Sequence, residues 1–280
     1  IASTDACFNT LGHRVERLRV QKKIAKLIRR WKGTSADLRK VILHYHLFKN
    51  AGTSLDASFR AYFKGDEWLT CEFPSDPQKN QQQLHNWIVQ SIDAKCFSSH
   101  TAALPPPLIA GVSVFPVIFV RHPIDRVASV YAFERKQGSD TYGSVLARNS
   151  NLSEYVEARL SRLHDYQCRN FHVHRFSSMY PADQGSVVER ANRAVENLPF
   201  VGVVSRFEQS LRELESALRA FGFPDIALQV TQKNVSRKID QTMDEKLEEI
   251  RSKMSPVVYE SLIEANREDL AFFDSIASRY

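Results

Sequence analysis

Two places in this chain share one three-part pattern: a short apolar run, a few polar residues, then apolar residues at helical spacing. The first is Val41 to Leu47 (VILHYHL), followed by Lys49 to Ser54 and a helical pattern from Gly52 to Phe63 with Leu55, Phe59 and Tyr62 or Phe63 on one side. The second is Pro116 to Val120 (PVIFV), followed by Arg121 and by a helix that His122-Pro123 opens and Ile124, Val127, Val130 and Tyr131 line. An apolar run without polar alternation suits a strand covered on both faces, as parallel strands are. A helix following directly makes each unit a βα crossover, so the chain is predicted to be α/β with a mainly parallel sheet flanked by helices.

The remaining pattern fits that frame. Strands are expected at Trp68 to Cys71, at Lys95 to Ser99 ending on His100, and at Phe200 to Val204. Phe73 to Gln83, rich in Pro and Gln, reads as a loop running into a helix over Leu84 to Ile92, and Leu104 to Pro107 (LPPP) bars helix or central strand. Helices are expected over Leu152 to Leu163, Val187 to Asn197 and Phe207 to Phe221, the last closed by Gly222. Met243 to Tyr280 reads as two more, the second from near Pro256, which gives a helical C-terminal part. With 280 residues one large core is affordable, and the domain is drawn over 38–280 with 1–37 as a basic helical extension.

Charge is unevenly placed. Of a formal net charge of +6, the stretch His13 to Lys32 carries +8, leaving the rest of the chain at −2. Its apolar residues recur at roughly helical spacing, so it is predicted to be a basic amphipathic helix. It either packs on the domain by its apolar stripe or makes a peripheral contact with anionic lipid or another polyanion. No nucleic-acid partner is expected. No run of about 18 apolar residues exists to span a membrane, and since the sequence opens on Ile1, a preceding anchor or targeting peptide is left open. The four cysteines, Cys7, Cys71, Cys96 and Cys168, have no zinc-ligand spacing and read as free thiols.

Chemistry concentrates at the two turns. Lys49-Asn50-Ala51-Gly52-Thr53-Ser54 sets a lysine, two hydroxyls and backbone N–H groups at a helix N-terminus, a cradle for phosphate or sulfate; the plainer reading is a turn with a helix-capping hydroxyl. A Mg-nucleotide loop of the GxxxxGK[ST] kind would place its lysine after the second glycine, whereas Lys49 precedes the single glycine by three residues. Arg121 at a strand end, with Arg126 and Ser129 on the next helix, offers a second anion site, its plainer reading being a salt-bridged arginine.

Taken together, HLFKNAGTSLD (46–56) and FVRHPIDRVASVYAF (119–133) resemble the membrane-associated carbohydrate sulfotransferases, a family that includes heparan sulfate 2-O-sulfotransferases, chondroitin sulfotransferases and bacterial relatives. PFVGVVSRFEQSLRELESAL and QKNVSRK extend the resemblance, so that it spans about 41–280; Phe48 and Asn50 depart from the commoner Pro and Thr. The resemblance implies a P-loop-like fold that takes 3′-phosphoadenosine 5′-phosphosulfate (PAPS) as co-substrate, with no metal. It assigns the 5′-phosphosulfate to Lys49, Asn50, Ala51, Gly52, Thr53 and Ser54, the 3′-phosphate to Arg121 and Ser129, and closure over the nucleotide to Lys233, Arg237 and Lys238. It makes His100 the acceptor's base, His85 being the other histidine between the motifs, and Lys49 the charge that stabilises the departing nucleotide. The acceptor it implies is a hydroxyl, of a saccharide by the family's habit, and Arg135 and Lys136 favour an acidic one. A cytoplasmic, bacterial-type location is expected, a Golgi lumen with a removed anchor being the alternative. The competing functions are a P-loop kinase or nucleotide hydrolase with a degenerate loop, and a non-catalytic nucleotide- or glycan-binding protein.

Overall fold

The computed structural model describes residues 38–229 and 241–280. The basic stretch 13–32, the extension 1–37 and the cluster Lys233, Arg237 and Lys238 lie outside the described residues.

Five parallel strands form one sheet in the order β2-β3-β1-β4-β5: β1 Arg39–Tyr45, β2 Trp68–Thr70, β3 Cys96–Ser99, β4 Val112–Val120 and β5 Val201–Val203. Helices fill the connections: α1 Gly52–Tyr62, α2 Pro77–Gln90, α3 Pro123–Lys136, α4 Tyr142–Asn149, α5 Leu152–Leu160, α6 Phe171–Ser177, α7 Val187–Asn197 and α8 Phe207–Phe221. Past the undescribed gap follow α9 Met243–Ser252, α10 Pro256–Ala265 and α11 Arg267–Ala277.

Strand alternation explains the two cores. Val41, Leu43 and Tyr45 of β1 join Phe97, Val114 and Ile118 on the face covered by α2, α6, α7 and α11. Ile42 joins Cys96, Phe115, Val117 and Phe119 on the opposite face, beneath α1 and α8. Leu55 and Phe59 of α1 are fully buried there, each contributing about 1.5–3 kcal/mol by leaving water. A third apolar cluster ties α3, α4 and α5 to α9 and α10. From β1 the chain runs toward β2 on one side of the sheet, and from β4 toward β5 on the other. The reversal falls between β1 and β4, and the crevice outside the carboxyl ends of the strands at such a point is where sheets of this class bind their ligands.

Several boundaries differ from expectation. α2 starts at Pro77 rather than Leu84, because Asp76 caps it by accepting from Lys79 N (2.8 Å) and the proline sits where its missing N–H is harmless. β4 begins four residues before Pro116; it has no neighbour on its β5 side until Ile118, and a proline is tolerated there. The short helices α4 and α6 carry too few turns to show a period, and both escape a sequence reading. The C-terminal part holds three helices rather than two: Asn266 breaks the run, its amide donating to Cys168 O and Leu262 O (2.8 Å each). Cys71, Cys96 and Cys168 are free thiols, and burial pushes that of Cys168 up to about 12. Among the described residues no helix is long and apolar enough to cross a membrane.

Candidate active site

Both motif turns lie at the carboxyl edge of the sheet, because β1 and β4 are adjacent and parallel. They are in contact. Arg121 donates from Nε to Asp125 (2.6 Å), one helical turn ahead on α3, and from Nη1 to the carbonyl of Lys49 (3.2 Å). The second motif thereby grips the backbone of the first.

The turn itself is strained at two residues, and neither is the glycine. Lys49 and Ala51 take left-handed φ of 62° and 61°, a conformation that costs an L-residue about 1–2 kcal/mol. Gly52 has an ordinary backbone. Its missing side chain makes room: a Cβ there would stand 2.0 Å from Cδ2 and 2.3 Å from Nε2 of His46. The glycine is needed for the close approach of a histidine, a role its sequence position did not disclose. Ala51 provides no side-chain cap to α1; the N–H groups of Ser54 and Leu55 turn back on Ala51 O (3.0 and 3.2 Å), and those of Gly52 and Thr53 stand at the start of the helix.

Around this turn the expected residues fall as follows. Thr53 is exposed, and Ser54 is half-buried with its N–H on Ala51 O (3.0 Å). Lys49 Nζ lies over the ring of Phe133, 4.5 Å from its centroid, and Phe133 in turn meets Phe48 edge to face. Ser129, half-buried, precedes Phe133 by one turn on the same side of α3. Asn50 points inward rather than into the crevice. Its amide donates to Phe48 O (3.0 Å), and its Oδ1 meets His172 Nε2 (2.9 Å), whose Nδ1 reaches Asp269 (3.0 Å). His172 and Asp269 are wholly buried, so this chain of contacts ties the turn to α6 and α11. Arg126 is buried as well, with its guanidinium on Gln167 and over the Phe171 ring at 3.8 Å, and burial pushes its pKa down to about 10. It staples α3 to α6 and takes no part in the crevice. Arg135 is exposed and donates to the Tyr131 hydroxyl (2.9 Å).

His100 stands exposed at the end of β3, its N–H on Glu72 Oε1 (3.2 Å) and its ring tilted 39° against that of His46 with centroids 3.8 Å apart. Since His46 also lies against Gly52, His100 is one ring away from the turn. Burial lowers its pKa and His46 adds to the lowering, against Glu72 and Asp56, so the free base prevails at neutral pH. His85 lies on α2 with Nδ1 3.4 Å from Oδ1 of its neighbour Asn86.

Sequence reasoning passed over His44, His46 and Asp56, which converge behind His100. Their signal was available: His44 and His46 are two apart on a strand and share a face, while Asp56 follows Gly52 by one helical turn. Among the described residues they are the grouping with metal-ligand donor types. Nδ1 of each histidine meets the carboxylate (2.8 and 2.9 Å), so the three form a hydrogen-bond network.

Comparison with known proteins agrees with this geometry. A protein of Archaeoglobus fulgidus described only as uncharacterized is 36% identical over 250 residues, covering 86% of this chain and 98% of its own length. A model of the sulfotransferase family matches residues 34–274, which takes in the whole sheet, both turns and the C-terminal helices. The chain therefore belongs to the sulfotransferase family, whose chemistry is the transfer of a sulfuryl group.

Proposed function

We propose that the protein transfers the sulfuryl group of PAPS to a hydroxyl of a saccharide acceptor. One observation supports the reading: Arg121 touches Lys49 O, so the two turns adjoin, and the His46 ring joins His100 to the same edge. A single nucleotide with phosphates at both ends, and a hydroxyl beside its sulfate, suits that layout.

The residues present fit such a group. The uncapped N-terminus of α1 with Lys49, Thr53 and Ser54 would hold the 5′-phosphosulfate, and Arg121 with Ser129 the 3′-phosphate. Bound PAPS would supply an activated sulfuryl group with a stable leaving nucleotide. Lys49 brings an ammonium to the oxygen on which charge develops, and fixed donors that need no reorganisation lower the barrier most. His100, exposed and deprotonated at neutral pH, takes the acceptor's proton. A transferred sulfuryl group carries less charge than a phosphoryl group, so these cations suffice without the magnesium that kinases use. Arg135 and Lys136 at the end of α3 favour an acidic acceptor.

Calorimetric titration with adenosine 3′,5′-bisphosphate, compared with Mg-ATP, tests the nucleotide; release of the bisphosphate from PAPS across a panel of saccharides tests the acceptor. Binding of the bisphosphate alone is expected. His100→Ala should lower turnover about 10²–10⁴-fold while sparing that binding, and Lys49→Ala about 10²–10³-fold. Mg-dependent ATP turnover would overturn the reading in favour of a kinase.

A further inference from the structure

Asp56 is an ionised carboxylate buried to 8% exposure, a costly placement unless donors surround it. They do. Oδ1 accepts from His44 Nδ1 (2.8 Å) and Ser98 Oγ (2.7 Å), and Oδ2 accepts from His46 Nδ1 (2.9 Å). Burial pushes this carboxyl up, but the two histidines outweigh burial and hold it well below the usual carboxylate range.

A carboxylate only accepts, so both Nδ1 atoms carry protons, and a neutral His46 is left with a bare Nε2. That nitrogen lies against Gly52, at the start of the α1 turn, and the same ring meets that of His100 at a tilt of 39°. The arrangement is a line from the exposed His100 through His46 to a buried acid.

We propose that Asp56 is a positioning residue for sulfuryl transfer: by accepting from Nδ1 of His46 it fixes that ring's tautomer and place, and the ring in turn seats His100 beside the Lys49–Ser54 turn. This rests on the reading of His100 as the base. An amide at position 56 breaks the device in a definite way. Because two donors converge on Oδ1 and one on Oδ2, the amide oxygen belongs with His44 and Ser98, and its NH₂ then faces His46. His46 must accept there and carry its proton on Nε2, pointing at Gly52.

The test uses Asp56→Asn in the full chain. Nitrogen-15 NMR of labelled histidine should show His46 protonated at Nδ1 in the parent and at Nε2 in the variant, with no acceptor needed. With the acceptor found in the panel, kcat should fall about 10–100-fold, while KM for PAPS and bisphosphate affinity stay within about threefold, far under the tenfold that 1.4 kcal/mol represents. The acid limb of the pH–rate profile should move to lower pH. The groups facing His100 are His46, Glu72 and Asp56, and losing Asp56 removes one of the two charges that raise its proton affinity. His46→Asn keeps an N–H for Asp56 but no ring; it should lose as much kcat, and the double variant no more than either single. Should Asp56→Asn fail to fold, His46→Asn decides alone, since it retains the buried charge and its donors. Unchanged tautomer and kcat in Asp56→Asn, or normal kcat in His46→Asn, overturns the positioning role while His100→Ala remains inactive. Normal turnover in His100→Ala would instead overturn the base on which the role depends.

Discussion

Gly52→Ala separates two physical effects of opposite sign. On helix propensity alone the change is favourable by up to about 1 kcal/mol. Against it stands a new Cβ 2.0 Å from Cδ2 of His46, where carbon atoms need about 3.5 Å. The shortfall, about 1.5 Å, cannot be met by the ring alone, because Asp56 holds Nδ1 at 2.9 Å and the His100 ring blocks it with centroids 3.8 Å apart. Either the bond to the carboxylate breaks, at about 1.5–3 kcal/mol, or the start of α1 lifts from the sheet. The net expectation is a loss of about 1–2 kcal/mol, read as a melting temperature about 2–6 °C lower for a chain of this size. In a His46→Ala background the overlap has gone, and the same Gly52→Ala should be neutral or stabilising. Thermal melts of the four proteins measure the cycle. A higher melting temperature for Gly52→Ala in the parent would show that the glycine serves the helix and not the histidine, and would refute the account of the turn.

Three further outcomes are expected. Asp269→Ala strips His172 of its buried partner and should cost about 3–5 kcal/mol; because His172 meets Asn50, bisphosphate affinity measured by calorimetry should fall with it. Ala51→Gly removes the Cβ from a left-handed residue and should stabilise by about 0.5–1 kcal/mol in denaturant melts. Burial lowers the pKa of His46, His100 and His122, so the unfolded chain binds more protons than the folded one as pH falls through the free imidazole range, near about 6.5. Stability should therefore be full at neutral pH and decline below it, by at most about 1.4 kcal/mol per pH unit per histidine; a melting temperature that rises on acidification from pH 7 to 5 would contradict the burial of these rings.

The sheet and both turns were legible because parallel strands write themselves as apolar runs, and the turns after β1 and β4 carry their lysine, glycine, hydroxyls and arginine in the sequence itself. The helices read best where caps and periods were long, as in α7 and α8, whose bounds agree with expectation to the residue. What stayed hidden were contacts between segments distant in sequence. Asn50 looked like a donor to phosphate until its burial beneath the turn was seen; nothing near it announces His172 or Asp269, which lie 122 positions away on α6 and beyond it on α11. Asp56 looked like a helix residue, yet its carboxylate gathers His44, His46 and Ser98 from two strands.

These hidden residues share a property: each is polar, buried and satisfied by a partner on another element. Burial of such groups is tolerated only when every partner is in place, so they report the assembled fold more strictly than any apolar position does. In this chain they meet at one place, the underside of the Lys49–Ser54 turn, with His46 under Gly52 and His172 under Asn50. A strained turn with two left-handed non-glycine residues needs such support, because the strain would otherwise relax into a form with its N–H groups scattered. The polar underside is what holds the turn in its strained form.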